Sequence, residues 1–371
     1  MDVETTEIKQ KKRLVGVIHA LEVGGAERMM VTILNHFVAE SFDVHLIVFD
    51  NKGELKKELS QAISVHDLGI PSVMKGMPKC LKALHSIKAD IVFTGIGHVN
   101  IALSPFIPFM KRILPKTKWI VRETSIVSLQ NQTSKYPKLF DFLYRHSYKN
   151  YEVIITQSED MKKDLEENYF KSSKIITINN PINHEHVKRL ANEKDILSFD
   201  ERKINLLTVA RLREEKRHDL MLETLYLLPK EYHLTIVGSG EKELELKELT
   251  QKLNLVDRVS FEGYKSNPYP YMKKADLFVL TSQREGFPNV LLEANVLGLP
   301  IVAFICMGGI KEIIEDRKNG LYTTFGECQL LAEKIMEANS LDFNKNEISE
   351  TIISKFSQEI ILKKYKEIFL K

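Results

Sequence analysis

The sequence predicts an α/β protein of two doubly wound domains, each a parallel sheet with helices on both faces. Length sets the number of domains: 371 residues, at roughly 150 per domain, make two. A hydrophobic content of 43% lets each bury a core of its own. Patterning sets the class. Short β-branched runs alternate with longer amphipathic stretches, and the runs are apolar throughout, as strands covered on both sides require. Composition excludes a disordered chain, because the aromatic content is an ordinary 8%.

In chain order, the first half offers strand runs at 14–19 (LVGVIH), 43–49 (DVHLIVF), 63–68 (ISVHDL), 90–94 (DIVFT), 118–122 (KWIVR), 152–157 (EVIITQ) and 174–178 (KIITI). Amphipathic stretches such as GGAERMMVTILNHFVAE (24–40) lie between several of them. The second half offers 204–210 (INLLTVA), 232–238 (YHLTIVG), 258–263 (RVSFEG), 276–281 (DLFVLT) and 300–304 (PIVAF), with helical partners at 218–228 and 241–253. Two successive βα series mean two doubly wound domains. The polar stretch 183–203 lacks strand periodicity and marks the boundary. The domains are read as 1–190 and 191–354, and an amphipathic run over 354–371 forms a last helix. Residues 91–110 contain no Asp, Glu, Lys or Arg and have the length of a membrane span. Gly95, Gly97, His98, Asn100, Pro105 and Pro108 within it fit a strand, a loop and a short helix instead.

Charge is balanced, 53 Lys and Arg against 50 Asp and Glu, which argues against a nucleic-acid binder. The balance is uneven: residues 1–190 hold 27 basic and 21 acidic residues (+6), residues 191–371 hold 26 and 29 (−3). Cys80, Cys306 and Cys328 are too few and too far apart for a disulfide framework or a cysteine-based zinc site, which favours a reducing compartment. The N-terminus, MDVETTEIKQKKR, reads poorly as a signal peptide, and the short apolar stretch after it reads as a first strand.

Ligands of doubly wound sheets sit at the carboxyl ends of the strands, so the βα loops carry the chemistry. After the first strand, Gly24-Gly25 opens a helix. It is either an anion site made of bare backbone N–H groups or only a tight turn. In the second domain's first loop, VARLREEKRHD, Arg211 and Lys216 suit a diphosphate, one as a fork and one as a point charge; the alternative is a pair of solvated charges. The next loop, VGSGE with Gly238 and Gly240, has no third glycine, so the dinucleotide fingerprint fails and a close-approach loop beside a nucleotide remains. The most informative stretch is TSQREGFPNVLLEANVLGLPIVAF (281–304). There Pro288 suits the first turn of a helix, and the N–H groups of Asn289, Val290 and Leu291 point out of the helix start to hold a phosphate. Glu285 and Glu293 make sense beside a phosphate if they accept hydrogen bonds from hydroxyls.

These residues resemble glycosyltransferase family 4: EGFPNVLLE, with RLREEK before it and GGAER near the start, plus weaker agreement at ITQSEDMKKDL, INNPIN, FEGY, IVAFICMGGIKEII and NGLY. The resemblance covers essentially the whole chain. It implies a GT-B fold, that is, two facing Rossmann-like domains with an interdomain cleft and a C-terminal helix (355–371) crossing back to the N-terminal domain. It implies a retaining, metal-independent hexosyltransferase with no cofactor beyond its nucleotide-diphosphate sugar, UDP being favoured. Carried over by residue, the donor diphosphate falls to Arg211, Lys216 and the amides after Pro288, with Gly286 and Phe287 in the same loop. Glu293 takes the ribose and Glu285 the transferred sugar; Gly263, Tyr264 and Gly240 lie by the nucleotide, and Gly24-Gly25 by the leaving phosphate and the acceptor. One departure stands out. The His-Asp pair that many members carry after the strand KWIV is here Arg122-Glu123. Glu123 and His98 are therefore both catalytic candidates, beside Glu285, Arg211 and Lys216.

The resemblance favours a glycan acceptor linked to lipid. The basic N-terminal half and SPFIPFMKRILPKTKW (104–119) suit a peripheral contact with an anionic membrane, alternatively an ordinary half-buried helix. The expected location is the cytoplasm, on the inner face of the membrane. A GT-B epimerase or hydrolase and a non-catalytic sugar-nucleotide-binding subunit are the alternative functions.

Overall fold

The predicted strand runs form two separate parallel sheets. In the computed structural model, residues 11–40, 42–193, 199–200 and 202–371 are described; the N-terminal residues 1–10 and part of the predicted boundary, 194–198 and 201, lie outside them. The first sheet has β1 (Arg13–Ile18), β2 (Asp43–Val48), β3 (Ser64–Asp67), β4 (Ile91–Thr94), β5 (Lys118–Arg122), β6 (Val153–Thr156) and β7 (Ile175–Thr177), in the order β3-β2-β1-β4-β5-β6-β7. The second has β8 (Ile204–Val209), β9 (Tyr232–Val237), β10 (Val259–Gly263), β11 (Leu277–Leu280), β12 (Ile301–Ile305) and β13 (Gly320–Thr324), in the order β10-β9-β8-β11-β12-β13. Neighbouring strands run parallel, for example β1 with β4 and β8 with β11.

Both faces of the second sheet are buried, and the pleat divides them residue by residue. Leu207, Phe278, Ile301 and Ala303 enter one core with helices Tyr269–Lys274, Asn289–Val296 and Lys345–Phe356. Leu206, Val279, Val302 and Phe304 enter the other with helices His218–Leu227, Glu243–Lys252 and Cys328–Ser340. In the first unit, Phe369 of the last helix packs on Phe37, Phe42 and Phe93.

The chain divides into one unit comprising residues up to Gln157, Met161–Ile178 and Lys366–Lys371, and a second comprising Ser158–Asp160 and Asn179–Tyr365. Packing thus divides the chain at 178, where the sequence reading put the boundary at 190. Helix His184–Leu190 packs on helices Tyr269–Lys274 and Asn289–Val296, and Ile182 and Val187 enter the second unit's core. Residues 355–365 likewise stay with the second unit, where Phe356 is core. The single helix expected over 354–371 is two, Lys345–Phe356 and Gln358–Leu370. They break at Ser357, where Phe356 O accepts Ile182 N–H (2.8 Å) and Gln358 N–H donates to Ile182 O (3.1 Å). Strand β13 went unread because it opens on glycine and ends in threonines. The uncharged stretch 91–110 becomes β4, helix Gly97–Leu103 and the start of helix Ile107–Ile113. Among the described residues no helix is long and apolar enough to cross a membrane.

Candidate active site

A doubly wound sheet opens a crevice where its strand order reverses. In the second sheet that point lies between β8 and β11, whose following loops carry Arg211 and Lys216 on one side and Glu285 on the other. The loops are stitched together: Gln283 N–H donates to Glu215 O (2.9 Å) and Thr281 Oγ1 to Lys216 O (3.1 Å). Across them Lys216 Nζ meets Glu285 Oε1 at 2.6 Å, the two side chains 21% and 12% exposed. This ion pair fixes the ammonium in place, so its orientation is settled in advance. Arg211 is exposed where β8 ends.

Behind Glu285 lies Gly308, at φ +133, where a Cβ would overlap the Glu285 carbonyl oxygen; Glu285 N–H donates to Met307 O (3.2 Å). Gly308 therefore lets the loop after β12 close on Glu285, a role visible only in three dimensions. His218 was also missed. It opens helix His218–Leu227 behind Lys216, and burial first, Lys216 second, pushes its imidazole down to about 4, so it is neutral at pH 7.

Helix Asn289–Val296 begins at Asn289, with Pro288 as the capping residue and not in the first turn, and no side chain caps it. Leu291 N–H already donates to Pro288 O (3.0 Å), so the expected three amides at the tip reduce to Asn289 and Val290. The side chains of Phe287 and Leu291 are core, which leaves Phe287 only its backbone to offer. Gly286 O accepts from Ser158 Oγ (3.3 Å). Asn289 Oδ1 accepts from Asn180 Nδ2 (2.6 Å), and Glu293 Oε1 from Tyr269 OH (3.4 Å).

The glycines of VGSGE have an internal explanation. A Cβ at Gly238 would overlap Ala210 O, and one at Gly240 would overlap Leu212 O. The loop after β9 therefore lies directly on the loop after β8, where Leu212 N–H donates to Ser239 O (2.9 Å). Gly238 N–H donates in turn to Gly263 O (2.8 Å), and Tyr264, 65% exposed, follows. Hydrogen bonds thus run from the end of β10 through β9 and β8 to β11 and β12, knitting the carboxyl-end loops into one rim.

The first unit has its own reversal, between β1 and β4. His19 follows β1 and His98 follows β4, and their rings meet edge to face with centroids 5.0 Å apart. His19 Nε2 lies 2.7 Å from Pro71 O; a carbonyl only accepts, which puts the proton on Nε2. The His98 imidazole faces solvent yet is crowded by protein, and that desolvation, then His19, pushes it down to about 4. His19 is the partner that sequence reasoning missed. Gly24 lies over the Glu27 carboxylate, whereas a Cβ at Gly25 would meet no atom within 4 Å. The structure gives no internal reason for glycine at position 25.

Glu123 is not at a surface. It is fully buried, with Asn100 Nδ2 donating to its Oε1 (3.3 Å), and Gln157 Nε2 donates to its backbone carbonyl (2.8 Å). Asn100 also accepts from Thr94 Oγ1 (2.9 Å) and donates to Arg122 O (3.0 Å). Burial pushes the Glu123 carboxyl up to about 8, so it is mostly protonated at pH 7. Its expected catalytic role is corrected to a structural one: it ties the end of β5 to the helix after β4.

Two family models match in succession, one described as Glycosyltransferase Family 4 over residues 23–186 and one as Glycosyl transferases group 1 over residues 191–353. An uncharacterized glycosyltransferase of Methanocaldococcus jannaschii is 32% identical over 279 residues, covering 71% of this chain and 68% of that protein. The chain belongs to the family 4 glycosyltransferases. A second relative of this glycosyltransferase, from Campylobacter jejuni, is the N-acetylgalactosamine-N,N'-diacetylbacillosaminyl-diphospho-undecaprenol 4-alpha-N-acetylgalactosaminyltransferase, 29% identical over 317 residues, with 82% and 84% of the two chains covered. Among solved structures, HepE of Anabaena in complex with UDP superposes with a TM-score of 0.77 at 18% identity, covering 96% of this chain and 99% of that one. The glycosyltransferase thus has the GT-B fold of two Rossmann-like domains. In it, the rim at the β8/β11 reversal gathers Arg211, Lys216, Glu285 and the tip of helix Asn289–Val296, and the β1/β4 reversal gathers His19 and His98.

Proposed function

We propose that the protein transfers a hexose or N-acetylhexosamine from a nucleotide-diphosphate sugar, UDP being the favoured nucleotide, to a lipid-linked glycan with retention at the anomeric carbon. The observation that carries this reading is the Lys216–Glu285 pair at 2.6 Å on the reversal of the second sheet. A lone lysine in a loop is a solvated charge; one clamped by a carboxylate, in loops that also carry an exposed arginine and lead into an uncapped helix tip, suits a diphosphate. Arg211, Lys216 and the amides of Asn289 and Val290 bind the two phosphates and stabilise the charge that grows on the leaving oxygen as the glycosidic bond breaks. Glu285, held at the ammonium, accepts hydrogen bonds from hydroxyls of the transferred sugar. Glu293 binds the ribose, with Tyr264 and Gly263 by the base.

The protein's own cations do the work that a metal would do, and the reaction proceeds without one. The departing phosphate takes the proton of the acceptor hydroxyl. The name of the Campylobacter relative supports a glycan on diphospho-undecaprenol as acceptor, and the UDP bound to HepE supports the nucleotide. The inner face of the cell membrane is the matching location.

The test is product analysis with UDP-N-acetylglucosamine, UDP-N-acetylgalactosamine and UDP-glucose against an undecaprenyl-diphosphate glycan, in EDTA. The reading expects a lengthened glycan with a retained anomer and loss of product in Lys216→Ala and Glu285→Ala. Change of the sugar without an acceptor, or full activity in both variants, overturns it.

A further inference from the structure

The basic excess of the first unit is concentrated in one stretch. Residues 95–151 hold nine Lys and Arg against two acids, Glu123 and Asp141. Glu123 is buried, and Asp141, half-buried, accepts from Asn131 Nδ2 (2.6 Å) and offsets one cation at most. Three of the cations face inward. Arg122 is buried, Lys118 donates to Ile368 O (2.6 Å), and Lys111 donates to Asn150 O (2.8 Å) and pairs with Glu152. The other six, Arg112, Lys116, Lys135, Lys138, Arg145 and Lys149, are exposed.

The same stretch exposes large apolar side chains. Tyr136, Leu139 and Phe142 are 55%, 53% and 55% exposed along helix Pro137–His146, and Phe109 and Ile113 are 56% and 39% exposed on helix Ile107–Ile113. The two helices share one end of the unit. The turn Tyr148–Asn150 follows the first and is bonded to the second, through Asn150 Nδ2 to Ser104 O (3.2 Å) and Lys111 Nζ to Asn150 O (2.8 Å). On helix Pro137–His146, Lys138, Phe142 and Arg145 share a face. Its inner side, Phe140 and Tyr144, walls a recess with Gly97, His98 and Ile101. Single exposed apolar residues are ordinary, but five of them set among six exposed cations, with Asp141 the one acid of the stretch that is not buried, are not scattered. Apolar groups ringed by Lys and Arg match the headgroup layer of an anionic bilayer.

We propose that helices Ile107–Ile113 and Pro137–His146 form a docking face for an anionic phospholipid surface. Leu139, Phe142 and Phe109 enter the headgroup layer and the six cations lie over it. The proposal rests on the lipid-linked acceptor reading above: the inner side of the same helix walls the recess that holds His98, so docking sets that recess at the surface where a lipid-linked glycan lies. It also revises the segment expected from sequence. Residues 104–119 supply only part of the face, because Ile107, Met110, Thr117 and Trp119 are buried and Lys111 and Lys118 bond inward.

The experiment is flotation of the full chain with vesicles of phosphatidylglycerol and phosphatidylcholine in equal parts, or of phosphatidylcholine alone, at low and high salt. The wild type, Leu139→Asp/Phe142→Asp and Lys138→Gln/Arg145→Gln are compared. The face predicts binding that needs phosphatidylglycerol, weakens with salt, and falls by at least about tenfold in each double variant. Melting temperature and UDP binding stay unchanged in the variants. Equal binding to both vesicles, or wild-type binding in both variants, overturns it. So does dimerisation abolished by Leu139→Asp/Phe142→Asp without vesicle binding, which would give the face to a second copy of the chain. Failure here, with transfer to a lipid-diphosphate glycan intact, refutes the face and leaves the function standing. Variant-sensitive vesicle binding with no transfer to that glycan upholds the face and refutes the acceptor.

Discussion

At the residue scale, Lys216 has two jobs that one substitution separates from each other. As a cation it is the proposed stabiliser of the leaving phosphate, and as the partner of Glu285 it neutralises a carboxylate 12% exposed. Lys216→Ala is expected to lower kcat/KM by about 10²–10³ and, by leaving Glu285 unpartnered, to lower stability by about 1–3 kcal/mol; urea unfolding and steady-state kinetics measure the two. Lys216→Ala/Glu285→Ala recovers most of the stability and none of the rate, because the unpaired acid is gone but the phosphate cation is not restored. The glycines make a matching contrast. Gly25→Ala meets no atom within 4 Å, so stability holds while transfer falls as the Cβ intrudes on the ligand's approach. Gly240→Ala overlaps Leu212 O and is expected to cost about 1–3 kcal/mol before any ligand is added. Sequence spacing treats the two glycines alike, since each lies in a βα loop; only the neighbouring backbone shows that packing requires Gly240 and leaves position 25 open.

At the scale of elements, the sequence was most legible where strands are apolar on both faces. β8, β11 and β12 were readable because both of their faces are core. β13 was not, because Gly320 and the two threonines dilute the signal of an edge strand. The break at Ser357 was hidden for a different reason. Its cause is Ile182, which bonds the residues on either side of it from far away in sequence. Arg211, Lys216, Glu285 and Glu293 were singled out because strand-end loops are where such sheets hold ligands, and of these the structure brings Lys216 and Glu285 into contact. His218 and Gly308 were not, as one acts from behind Lys216 and the other through the backbone of Glu285. Glu123 misled because its position at the end of β5 is that of a ligand loop, while Asn100 and the surrounding core draw it inside. Helix Asn289–Val296 carries a prediction of its own. Val290→Pro deletes one of the two tip amides, and it should weaken UDP binding about tenfold, read by calorimetry. If Val290→Pro binds UDP as the wild type does, the tip holds no phosphate.

For the whole molecule, buried titrating groups set how stability changes with pH. Glu123, raised to about 8, keeps a proton in the folded state that the unfolded chain has released, so stability falls as pH rises from about 4.5 towards 8. His98 and His218, lowered to about 4, stay neutral when folded while the unfolded chain takes up protons below 6.5, so stability falls as pH drops from 6.5 towards 4. His36, His66 and His233, also lowered by burial, add to the fall below 6.5; above it the histidine effect fades, and that of Glu123, joined by the raised Glu312, continues. Melting temperature is therefore expected to peak near pH 6.5, and Glu123→Gln to flatten the fall between 6.5 and 8. A fall that persists in Glu123→Gln would place the titrating group elsewhere. The central claim is that the rim at the β8/β11 reversal holds a sugar-nucleotide diphosphate with protein cations alone. Calorimetric titration with UDP in EDTA, for the wild type, Arg211→Ala and Lys216→Ala, tests it most directly. The account predicts metal-free binding by the wild type and a loss of at least about tenfold in each variant; binding that appears only when magnesium is added, or equal affinity in all three proteins, would contradict it.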